Sequence, residues 1–159
     1  MNSNNKKQIT GIVLAIFMLL TLLNSAYFFL VILKLGIGQW LAFNACSVAI
    51  IIYLICFTIS AVKRNSTWLS VALLPMYYYG TMGLFIMPWN ESNLFAHITH
   101  IIITCNALWV LSLIFKKQNF EALGKALLCS IVVFVPLFAL IQTYNQAHLE
   151  EFMQMLQNM

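Results

Sequence analysis

The sequence predicts an all-α integral membrane protein: a bundle of five transmembrane helices followed by a short amphipathic helix. Three observations carry that expectation. Of 159 residues, 62% are apolar and only 8% charged, whereas a soluble domain carries about a quarter charged residues. Five runs of about 20 residues are apolar on every side, enough at 1.5 Å per residue to cross a hydrocarbon core of about 30 Å. They lack the alternation of barrel strands. The basic residues, finally, collect at alternate ends of these runs.

The spans are expected at Thr10 to Leu33, Trp40 to Val62, Trp68 to Trp89, Leu94 to Phe115 and Ala122 to Thr143, in one membrane domain of residues 1–159. In the first, Asn24-Ser25-Ala26 resembles a signal-peptide cleavage site, but Asn is a poor small residue there. The apolar run also continues from Tyr27 to Leu33, longer than a signal core of about 7 to 15 residues, so an uncleaved span is expected. Span two offers a small face of Ala42, Ala45, Cys46 and Ala49. Span three holds Pro75, Gly80 and Gly83, a combination that bends a helix and frees carbonyls. Span five carries Ala122, Ala126 and Ser130 at four-residue spacing and Pro136 further along. From Ala147 to Met159, Leu149, Phe152, Met153 and Leu156 share one helical face opposite Glu150, Glu151, Gln154 and Gln157. That pattern predicts a helix on the membrane surface or over the bundle mouth.

Direction follows from charge. One set of span ends holds Lys6, Lys7, Lys63, Arg64, Lys116, Lys117 and Lys125, and the other holds Lys34 alone. Cytoplasmic loops collect Lys and Arg, so the N-terminus is expected in the cytoplasm and the C-terminus outside. A single arginine beside seven lysines, with plentiful Asn and Ile, points to a bacterial source and hence to a bacterial inner membrane. The scattered basic pairs form no groove for nucleic acid. Cys46, Cys56, Cys105 and Cys129 all lie in apolar runs and imply no disulfide framework. The partners expected are membrane lipid and either a second copy of the chain or a larger membrane complex.

Chemistry has few places to reside. No Asp, Glu or Arg lies within the hydrocarbon depth, which removes paired-carboxylate catalysis and carboxylate-driven ion coupling. His97 and His100 stand three residues apart on the first turns of span four, with Thr104 one turn further along the same side. The plainest reading is structural hydrogen bonding. A ligand pocket and a metal site at His97 and His100 are the alternatives, since intramembrane ionisable groups are functional by default and histidine is the commonest metal ligand. Two histidines three apart cannot take opposite axial positions of one haem, which leaves haem needing a methionine such as Met82 or Met87; copper would use imidazole and thioether ligands.

Tyr77, Tyr78 and Tyr79 fall near mid-membrane, where a hydroxyl needs a partner inside the bundle. Polar residues favour the outer half, so Asn24, Asn44, Tyr78, His97, His100, Thr104 and Asn106 are expected to line an outward-opening pocket. The function expected is a non-enzymatic carrier subunit, receptor or accessory protein that binds a small neutral or amphipathic ligand there. A copper- or haem-dependent redox protein, and an assembly or immunity partner without a ligand site, are the rival readings.

Overall fold

The computed structural model describes residues 3–157, and among them the chain is helical with no strand. The side chains of Lys6, Leu156 and Gln157, and all of Met159, lie outside the described residues. Five segments are long and apolar enough to cross a membrane: Lys7–Ile32, Ala45–Lys63, Thr67–Ile86, Leu94–Lys117 and Phe120–Ala147. We refer to them as spans one to five.

Span one is α1 (Ser3–Ala26) continued by a π-helical segment, Tyr27–Ile32. The short α2 (Ile37–Phe43) follows, and α3 (Ala45–Lys63) forms span two. Span two was expected to run unbroken from Trp40. Instead the chain breaks at Asn44, whose backbone (φ −122°, ψ 65°) is neither helical nor extended. Span three is built of pieces: α4 (Thr67–Val71), α5 (Leu73–Pro75), a π segment Met76–Thr81 and α6 (Gly83–Ile86). A single-turn 3-10 helix, Glu91–Asn93, leads into α7 (Leu94–Lys117), which is span four. Span five is α8 (Phe120–Ala147), helical through Pro136, and α9 (Leu149–Gln157) closes the chain.

The connections are tight. Arg64 and Gln118, at the ends of α3 and α7, both adopt the left-handed conformation (φ 51° and 50°) that reverses a chain after a helix. They stand with Lys63, Lys116 and Lys117 at one end of the bundle, the lysine-rich end; the other end, with Lys34, Trp89 and α9, is the Lys34 end.

Spans one to four form a ring, span one against α3 and α7 and span three against α3 and α7 in turn. Met18, Ile50, Tyr53, Met76, Ile103 and Val110 fill its centre without exposure to solvent. Glycines set the closest approaches: a Cβ on Gly11 would stand 2.4 Å from Trp109, and one on Gly80 2.2 Å from Ile103. Such separations are impossible for real atoms, so absence of side chain at these positions is what lets α1 and span three reach α7.

Span five packs outside the ring, on α4 and α5 of span three. Its small stripe faces inward as expected, with Ala126 and Ser130 buried. At the Lys34 end α8 leans on α2, and α9 folds back so that Phe152 stacks on Phe43 at 4.1 Å, with the Phe29 ring parallel to it at 6.4 Å. The tail helix therefore docks onto the bundle through Phe152, while Leu149 and Met153 from the expected apolar face stay exposed.

Candidate functional site

The expected pocket residues divide into separate groups. His97 and His100 both turn inward, 1% and 5% exposed. The His97 ring stacks on Trp89 (3.9 Å between centroids, 5° between planes), and its Nε2 lies 3.1 Å from the Pro88 carbonyl. A carbonyl can only accept, so this contact places the proton on Nε2 and leaves Nδ1 as a bare acceptor. That Nδ1 is buried and has no hydrogen-bond partner, and the Nδ1 of His100 is likewise buried without a partner.

His100 lies against span three. A Cβ on Gly83 would stand 2.5 Å from its Cε1 and 2.7 Å from both ring nitrogens, so the imidazole fits only because residue 83 is glycine. Pro75 lies immediately before the π segment Met76–Thr81, which widens the turn facing α7. Thr104 continues the histidine side: its Oγ1 is 2.8 Å from the His100 carbonyl and 3.2 Å from Thr81 Oγ1. His97, His100, Thr104 and Thr81 thus form one polar seam between spans four and three.

The other expected members do not join it. Asn106 is buried on α7 but turns toward span one, donating through Nδ2 to Ile102 O at 2.9 Å and to Leu14 O at 3.4 Å. Its Oδ1 is left without a partner. Tyr78 faces span five, where its hydroxyl accepts from Gln142 Nε2 at 2.6 Å and its ring stacks on Phe138 at 4.9 Å. Tyr79 is the more sheltered neighbour, with a buried hydroxyl that finds no partner.

Asn44 is locked into a knot that the sequence did not reveal. Ser25 Oγ accepts from Trp40 Nε1 at 2.9 Å and from Asn44 Nδ2, and lies 3.1 Å from Ser47 Oγ. Cys46 Sγ donates to Asn44 Oδ1. Both ends of its amide are thus engaged within the knot, away from the histidines, and its pull toward Ser25 accounts for the break between α2 and α3. Asn24, one residue before Ser25, is exposed on the outside of the bundle, since consecutive helical residues point about 100° apart. The expected convergence of Asn24, Tyr78, His100 and Asn106 is therefore not what the fold builds.

Nor does an open vestibule stand over the seam, because His100 on Gly83 and Trp89 on His97 occupy the space by direct contact. A small crevice of about 10 Å³, lined by Ser66, Thr67, Ser70, Ile114, Lys117, Asn119 and Ala122, lies at the lysine-rich end instead. That is room for about one water. Among the described residues no three His, Cys, Asp or Glu side chains converge to hold a metal ion, so His97 and His100 would have to be supplemented by softer or external ligands.

Comparison with protein-family models, with curated proteins and with solved structures finds no match to this chain.

Proposed function

We propose that the chain is a non-catalytic membrane protein that binds a small neutral or amphipathic molecule at the seam between spans three and four, entered from the outside past Trp89. The observation that carries this reading is the pair of buried imidazoles on one side of α7, each with an unpartnered Nδ1. A buried polar nitrogen left unpaired costs about 1 to 3 kcal/mol, so two on one side of a helix favour a molecule that brings hydrogen-bonding groups to them. The ligand class follows: a hydroxyl, amide or amine head, small enough to pass Trp89, on an apolar body that lies along lipid-facing helices. Trp89, itself 66% exposed, covers His97 and is the group that an entering molecule displaces. The seven-to-one distribution of basic residues supports placing this end outside.

The test compares His100→Leu with the unaltered protein under two conditions. Stripped of small molecules by extensive detergent exchange, the variant should melt at the same temperature or higher, because an unpaired polar group has been removed. After gentle extraction the unaltered protein should be the more stable of the two, since only it retains ligand. Equal order under both conditions would count against a binding site.

A further inference from the structure

Asn24 presents a carboxamide where lipid cannot answer it. It lies about 7 Å from the midpoint of span one, at 1.5 Å per residue, and so about 8 Å inside a hydrocarbon core of about 30 Å. Its side chain is too short to reach the interface, and it makes no hydrogen bond to any described residue. An amide left in hydrocarbon is costly, yet the fold turns Asn24 outward while its neighbour Ser25 takes the interior.

The face around it is continuous. Val13, Phe17, Leu20 and Tyr27 are all exposed, at 44, 48, 54 and 59%. With Asn24 they follow alternating steps of four and three residues up to the start of the π-helical segment, the repeat by which two helices pack along a seam, with one polar residue in it. Span one is also the least enclosed of the five, with 11% of its apolar window buried.

We infer that this face of span one is the interface of a parallel homodimer centred on Asn24. Every copy of a membrane protein enters the bilayer in the same orientation, so two copies related by a twofold axis along the membrane normal bring Asn24 to Asn24 at the same depth. A carboxamide is its own complement, carrying one acceptor and two donors, so each amide can donate to the other's oxygen. An unrelated partner would need a matching polar group at that depth; a second copy has one by construction. A lone polar residue in such a seam fixes register and partner number.

The experiment measures the monomer–dimer equilibrium in lipid bilayers by single-molecule energy transfer over a range of protein-to-lipid ratios. The unaltered chain and Asn24→Gln, which keeps the carboxamide, should both dimerise. Asn24→Leu should weaken the dimer by roughly 3- to 30-fold, the range for hydrogen bonds between membrane helices, while its melting as a dilute monomer stays unchanged. Disulfide trapping gives a second measurement. In a chain whose native cysteines are replaced, Asn24→Cys should cross-link to itself under oxidation, whereas a chain retaining only the exposed Cys105 of α7 should not. A monomer at every ratio, equal dimerisation of Asn24→Leu, or cross-linking of position 24 to a different protein would each overturn the inference.

Discussion

The hydroxyl of Ser130 donates to the carbonyl of Val71 at 2.6 Å. Pro75, four residues after Val71, has no N–H, so that carbonyl lacks its helical partner. The interruption of span three at Pro75 and the attachment of span five are thus one device: the proline frees an acceptor inside the bundle and Ser130, buried on α8, supplies the donor. Ser130→Ala should lower stability by about 0.6 to 2 kcal/mol. In a Pro75→Ala background, where the backbone N–H is restored, the same change should cost markedly less. Unfolding of the four proteins in mild detergent provides the cycle.

Glycine identity at close crossings makes a paired prediction. Gly80→Ala places a methyl 2.2 Å from Ile103 Cγ2 and should destabilise by about 1 to 3 kcal/mol through forced separation of spans three and four. Gly38, in α2, has nothing within 4 Å of a built Cβ and no positive φ. Gly38→Ala should therefore stabilise by about 0.4 to 1 kcal/mol, since alanine gives up less backbone freedom on folding. The same unfolding measurement reads both.

Ser25→Ala removes the acceptor shared by Trp40 Nε1 and Asn44 Nδ2, each donor then losing a partner at about 1 to 3 kcal/mol. Asn24→Ala, one residue away, should shift the melting of the dilute monomer by no more than about 0.5 kcal/mol. A reversed order would place the polar knot on the wrong residue.

That adjacent pair also marks where the sequence stops being informative. Helix content and the five helices long and apolar enough to cross a membrane were legible because length and apolar character alone determine them; α7 begins at the expected Leu94 and runs only two residues past the expected end. The break at Asn44 was not legible, since it depends on Ser25, nineteen residues earlier. Which of Asn24 and Ser25 faces inward turns on a rotation of about 100°, and an apolar run has no amphipathic stripe to set it. Tyr78 and Tyr79 pose the same ambiguity, settled by Gln142 and Phe138 on a distant helix. The histidines were legible as a pair because spacing of three residues puts them on one side wherever that side points.

The charge distribution makes a prediction about topology. A reporter fused after Met159 should read the external compartment, and one inserted between Lys63 and Thr67 the cytoplasm. The opposite assignment would turn the histidine seam toward the cytoplasm and change which molecules can reach it.

The measurement closest to the central claim is native mass spectrometry of the protein released from its membrane in mild detergent. The unaltered chain should carry a discrete small-molecule adduct that dissociates on activation, and His97→Phe/His100→Leu should fly as the bare polypeptide while keeping its melting temperature within a few degrees. A bare unaltered chain, or an identical adduct on both proteins, would contradict a ligand site at His97 and His100.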